Sequence, residues 1–170
     1  MASLRSTLAP AGAWFWLALA VLIVALDQAT KTLASQLLDY GQPVAVLPVL
    51  NWTLLHNTGA AFSFLSNAGG WQRWFFTLVS LAVSLVLVVW IFRLGRGEYL
   101  QKIALTLILG GAVGNLWDRV MLGYVVDFIQ LHYQHNWYFP AFNIADSAIT
   151  LGAMAIIYHS FFEGQRTTHE

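Results

Sequence analysis

Charge is what this chain has least of. Only 9% of its 170 residues are Asp, Glu, Lys or Arg, where an ordinary soluble domain carries about 25%. That leaves too little polar surface to face water on every side. Cysteine is absent, which excludes disulfides, thiolate metal sites and a Cys nucleophile. Basic and acidic residues cancel, eight of each, so there is no general attraction to nucleic acid. The chain also lacks a Gly-rich phosphate loop, a His-Glu-x-x-His pattern and a Ser-x-x-Lys spacing, and with them the usual signatures of nucleotide, zincin and Ser–Lys chemistry.

What is present is apolar. Hydrophobic residues make up 58% of the chain, with eight Trp, six Tyr and eleven Phe, rings that favour the membrane–water interface. Residues 11–26, 74–92, 103–117 and 147–162 contain no charge. A spanning helix needs about 20 residues, so all but the second stretch must borrow polar residues at one end: Asp27 to Lys31, Asn115 to Arg119, and Asn143 to Asp146. A cleaved signal peptide is the competing reading for Arg5 followed by residues 14–26, but cleavage would discard the span that ends on Asp27.

The densest basic cluster, Arg93, Arg96 and Lys102, lies between the second and third spans. The positive-inside rule puts that loop in the cytoplasm, with both termini, and turns residues 27–73 and 118–146 outward. The polar ends of spans one, three and four then share one depth in the outer leaflet. Ionisable residues at membrane depth are costly and line sites or watery cavities. Outside the helices, residues 43–48 and 51–56 are β-prone and bounded by Gly41, Pro48 and Gly59, which predicts a small hairpin or sheet. Residues 124–138 mix β-branched and aromatic side chains and are expected along the membrane surface.

Each polar motif has a structural reading beside a functional one. Asp27 and Lys31 at i and i+4 suit an ion pair that anchors a helix end. Asn57-x-Gly59 suits a turn. Gly111, Asn115 and Asp118 share a helical face beside Arg119, where the small residues also serve close helix packing. Asn143 and Asp146 suit a helix cap. His132 and His135 at i, i+3 read as interfacial polar residues rather than metal ligands. Asp127 and Asp146, taken together, suit something else. Two carboxylates in low dielectric do not both ionise easily, so one keeps a proton while the other acts as base. Such a pair can deprotonate a water and protonate a leaving amine with no metal and no covalent intermediate.

The ordered set Asp27-Gln28-x-x-Lys31, Asn57-x-Gly59-x-x-Phe62, Gly111-x-x-Gly114-Asn115-x-x-Asp118-Arg119, Val126-Asp127-Phe128 and Phe142-Asn143-x-Ala145-Asp146 resembles lipoprotein signal peptidase, the prolipoprotein signal peptidase II family. The resemblance implies a membrane all-α fold in one unit, residues 1–170, with four transmembrane helices (about 11–30, 73–92, 101–118 and 145–162), a small periplasmic β-cradle and a periplasmic flap segment. It implies a bacterial inner-membrane aspartic endopeptidase with both termini cytoplasmic and its site toward the periplasm. Such enzymes cut a prolipoprotein signal peptide just before a Cys carrying a diacylglyceryl group. Asp127 and Asp146 fall on the family's catalytic dyad. Asn57, Gly59, Asn115, Arg119 and Asn143 fall on its substrate-binding or dyad-supporting positions, and Asp27–Lys31 on its structural polar pair. No metal or cofactor is implied. The implied partners are the lipidated precursor, membrane lipid and inhibitory cyclic peptides of the globomycin type, with no nucleic acid and a monomeric state. A proton-coupled transporter is the alternative, since intramembrane carboxylates also relay protons, but it calls for polar residues through the cytoplasmic half, where spans two and four are apolar. A non-catalytic lipid-binding or assembly subunit gives no reason for two acids beside three Asn.

Overall fold

The structure, a computed structural model, describes residues 12–59, 71–95, 97–134 and 136–163, with the side chains of residues 162 and 163 left aside. Expectations for Arg5, Phe62, Arg96 and His135 lie outside the described residues.

Each charge-free stretch forms a helix. These are α1 (Ala13–Leu37), α2 (Trp71–Arg93), α3 (Tyr99–Met121) and α4 (Ile144–Glu163), all long and apolar enough to cross a membrane. The 25 residues of α1 span about 37 Å at 1.5 Å per residue, more than the roughly 30 Å hydrocarbon layer. That excess carries Lys31 and Ala34 to the polar end of the bundle. Large apolar side chains such as Leu22, Leu78, Leu85, Leu151 and Ile157 are exposed, as a surface solvated by lipid requires.

α3 is the central helix. Of its most apolar window 56% is buried, against about a fifth for each of the other three. Small residues make that possible, because helices in lipid associate by close packing rather than by hydrophobic drive. A side chain at Gly111 would collide with the Ala145 carbonyl and Ile149 of α4, and one at Gly114 would sit 2.7 Å from Asp27 Oδ2 of α1. At the other end of the bundle an apolar cluster is built from Ala13, Ala20, Leu87, Ile91, Leu94, Leu105 and Leu109, with Ser84, Lys102 and Thr106 buried on the same turns.

Over the polar end lies a four-stranded antiparallel sheet in the order β1 (Val44–Leu47), β2 (Leu50–Asn57), β3 (Val125–Tyr133), β4 (Trp137–Tyr138). The expected hairpin is β1–β2. Residues 124–138, expected along the membrane surface, supply β3 and β4 of the same sheet: β3 pairs with β2 from Val125 to Leu131 and with β4 at His132 and Tyr133. Backbone N–H and C=O groups of β3 need partners, and the side of β2 away from β1 supplies them. α3 gives way to β3 at Gly123, whose φ of +90° suits a helix C-terminus. The N–H groups of Leu122 and Gly123 both donate to Asp118 O, at 2.7 and 3.2 Å. That sharp turn returns the chain over the end of α3, so Asp127 lies close to Asn115 and Asp118.

Candidate active site

Asp127 sits in the middle of β3, and its neighbours follow from the register. Leu55 lies opposite Asp127, and Asn57 lies opposite Val125. Asn57 is therefore the diagonal neighbour of Asp127 on the same sheet face, within reach of a side-chain bond. The Asn57 amide donates to Asp127 Oδ2 at 3.0 Å, and Asn57 Oδ1 accepts the Gly59 N–H at 2.9 Å. Gly59 has φ +100° and lies so close to Phe76 that a Cβ would stand 2.8 Å from the ring. Neither the backbone angle nor the space suits a side chain.

Asp146 sits in the first turn of α4, and Asn143 precedes it as the cap. Asn143 Oδ1 accepts the Asp146 N–H at 2.8 Å, while Asp146 Oδ2 accepts the Asn143 N–H at 3.3 Å. This is a reciprocal capping box. The structural reading of these two residues is therefore right as far as it goes. Asn143 does more: its side-chain amide donates to Asp127 Oδ1 at 2.7 Å. One asparagine, fully buried, thus ties both carboxylates together. Asn115 holds the far side of the pair by donating to Asp146 Oδ1 at 2.7 Å.

Behind the pair lies a buried ionic knot. Lys31 Nζ meets Asp27 Oδ2 at 2.8 Å, Asp118 Oδ2 at 2.9 Å and Asn115 Oδ1 at 2.9 Å. Three ammonium protons thus find three acceptors. All three charged groups are 3% exposed or less, so the expected Asp27–Lys31 ion pair is fully buried. Gln28 joins the knot by donating to Asp118 Oδ1 at 2.8 Å. Asp118 and Gln28 belong to the expected motifs but were given no role there. The signal for Asp118 was its place on the Asn115 face of α3.

Arg119 lies at the rim. Its guanidinium is 5.5 Å from the Phe76 ring centre, and Nη1 lies 3.4 Å from Asn115 O. Arg73, which sequence reasoning passed over, donates to the carbonyls of Arg119 and Val120 at 2.8 and 2.9 Å and fixes the start of α2 to the end of α3. Arg119, Asn115 and Asp146 share a cleft of about 260 Å³ with apolar walls from Val79 and Val83 of α2, Ile108 of α3 and Ile149 of α4. A larger hollow of about 660 Å³ beside Trp90 and Arg93 contains none of the polar cluster, so chemistry rather than size locates the site.

Electrostatics separates Asp127 from an ordinary carboxyl. Burial, then the charge of Asp146, raises its pKa to about 7, against the lowering effect of the Asn57 and Asn143 hydrogen bonds. A carboxyl that still holds its proton near neutrality can serve as a general acid. Among the described residues no three His, Asp or Glu side chains are placed to share a metal ion. His132 is buried in β3 beside the Tyr138 ring, 5.8 Å between centres.

The family model described as signal peptidase (SPase) II matches residues 19–162. The chain belongs to the signal peptidase II family. Lipoprotein signal peptidase of Acinetobacter baumannii is 60% identical over 152 residues, covering 89% of this chain and 86% of the relative. That of Pseudomonas fluorescens is 56% identical over 149 residues, covering 87% and 86%. A bacterial membrane enzyme solved by the in meso method at 2.3 Å resolution superposes with a TM-score of 0.78 at 33% identity, over 89% of this chain and 90% of the other. As a signal peptidase II family member the chain is a protease, and its four helices make it a multi-pass membrane protein.

Proposed function

We propose that this signal peptidase is an aspartic endopeptidase of the bacterial inner membrane, cleaving prolipoproteins just before the diacylglyceryl-modified Cys. The observation that carries the reading is the double attachment of Asn143, side chain to Asp127 and cap to Asp146. It unites two acids from different elements beside a cleft with apolar walls.

In the resting dyad one carboxyl holds a proton and the other does not, because two adjacent charges in low dielectric repel. The ionised member takes a proton from a water, whose oxygen adds to the scissile carbonyl carbon. The protonated member gives its proton to the carbonyl oxygen. Collapse of the tetrahedral intermediate then breaks the C–N bond: the carboxyl that took the water proton passes it to the departing amine of the lipidated Cys, and the other takes a proton back from a hydroxyl of the intermediate, which restores the one-proton dyad. Asn57, Asn115 and Asn143 keep the acids in place throughout. Arg119, with its charge against Phe76 and its edge toward the cleft, is suited to donate to a carbonyl of the peptide or of the lipid ester. The apolar walls suit a substrate that arrives sideways from the bilayer with its acyl chains.

The whole chain, residues 1–170, acts as one monomeric unit that uses no cofactor. Both termini are cytoplasmic, the dyad faces the periplasm, and cyclic peptides of the globomycin type inhibit by occupying it. Cleavage of a lipidated and an unlipidated precursor, assayed side by side with purified protein, tests the reading. The lipidated form alone should be processed, at the bond before its Cys. Equal processing of both forms, or of neither, would contradict it.

A further inference from the structure

The buried knot of Asp27, Lys31 and Asp118 has more order than an anchor needs. Each of its two acids accepts a backbone N–H in addition to the Lys31 ammonium. Asp27 Oδ1 accepts from Ala145 at 2.9 Å, and Asp118 Oδ2 accepts from Val126 at 3.1 Å. Ala145 and Val126 are the residues immediately before Asp146 and Asp127. A helix begins with N–H groups that have no partner of their own, and Asp27 from α1 supplies one for α4. Asp118 does the same for the entry of β3. The two backbone segments that carry the aspartates are thus each held by a carboxylate, and both carboxylates are held by one ammonium.

The same ammonium acts on a side chain of the site. Lys31 Nζ donates to Asn115 Oδ1, and Asn143 Nδ2 lies 3.3 Å from the same oxygen. Two donors at that oxygen fix which way the Asn115 amide faces, so its Nδ2 must turn to Asp146 Oδ1. Without Lys31 only the longer contact from Asn143, at 3.3 Å, holds that oxygen, and the orientation of the amide is weakened.

We propose that Lys31, clamped between Asp27 and Asp118, is a positioning residue for Asp127 and Asp146, setting their separation through the Val126 and Ala145 amides and orienting Asn115 toward Asp146. The inference rests on the peptidase reading above for its kinetic test and on the geometry alone for its spectroscopic one. Lys31 touches no substrate in this account. Its groups face Asp27 on α1, Asn115 and Asp118 on α3, and through those acids α4 and β3.

Two variants of the full chain, Lys31→Met and Asp118→Asn, separate positioning from mere anchoring. Rates are referred to folded protein, measured by thermal unfolding in detergent. A displacement of about an ångström at a reacting group costs on the order of 100-fold in rate. Lys31→Met should accordingly lower kcat by roughly that factor, leave KM within about threefold, and move the limbs of the kcat–pH profile. Asp118→Asn keeps an acceptor for Val126 and should lose less. If Lys31→Met, or Asp118→Asn should the first not fold, retains the parental kcat and pH profile per folded molecule, the proposal is wrong and the knot is only an anchor. Amide hydrogen exchange in the unaltered protein needs neither variant nor substrate. Val126 and Ala145 should be among the slowest-exchanging amides of their elements, and exchange of either as fast as an exposed strand edge would overturn the clamp. Failure of the unaltered protein to cleave the lipidated precursor would instead sink the peptidase reading, with the exchange result still deciding the clamp.

Discussion

The Asn143 side chain donates to Asp127 Oδ1 at 2.7 Å, joining the residue before α4 to the middle of β3. The same residue caps α4, so its loss has two separable consequences. Asn143→Ser keeps a good capping oxygen on a side chain too short to reach Asp127. We expect unfolding temperature close to the parental value and a kcat lower by about 100-fold. Asn143→Ala should lose a similar rate and also about 1 kcal/mol of stability with the cap. Thermal unfolding and cleavage assays on the same samples check both.

Asp127 gives a pH dependence with a defined sign. Its folded pKa of about 7 lies above the ordinary 3.8, so the folded protein binds this proton more tightly than the unfolded chain does. The associated stability is full below about pH 4 and is lost as pH rises through about 7. Asp127→Asn never ionises. Its unfolding temperature relative to the parent should therefore be more favourable at pH 8 than at pH 5, as scanning fluorimetry in detergent can measure. The same ionisation should give the parental activity a falling alkaline limb near pH 7.

Much of this architecture was readable in advance, because the membrane imposes simple demands. Charge-free runs mark α1 to α4, and the polar residues at the ends of three of them do meet at one end of the bundle, as Lys31, Asn115 and Asp146 do through two hydrogen bonds. The β1–β2 hairpin was marked by Gly41, Pro48 and Gly59. The place of residues 124–138 was not legible, because β2 and β3 pair across some seventy residues with an irregularity between Trp52 and Leu55. No local pattern encodes that register. The knot was half legible: i, i+4 spacing marks Asp27 with Lys31, but nothing local says that Asp118 arrives from another helix to share the ammonium.

Close packing around the knot sets a third expectation. A Cβ at Gly114 would sit 2.7 Å from Asp27 Oδ2, whereas one at Gly12 would meet nothing within 4 Å. Gly114→Ala should destabilise by about 1–3 kcal/mol, the usual cost of forcing atoms into a packed interior, and Gly12→Ala should be neutral. The two unfolding temperatures, compared in one detergent, decide it.

Chelation supplies a fourth. A dyad that activates water by itself needs no metal ion, so a strong chelator should leave the cleavage rate unchanged. Inhibition that zinc restores would bring the His132 region into the mechanism.

Asp127 and Asp146 act as one catalytic pair in the proposed reaction, and single-turnover cleavage of a lipidated precursor by Asp127→Asn and Asp146→Asn tests this most directly. Both variants should insert and fold, and each should lose at least about a thousandfold in rate, since removing one member of a unit that acts together disables the whole. Processing by either variant at near the parental rate would contradict the pair.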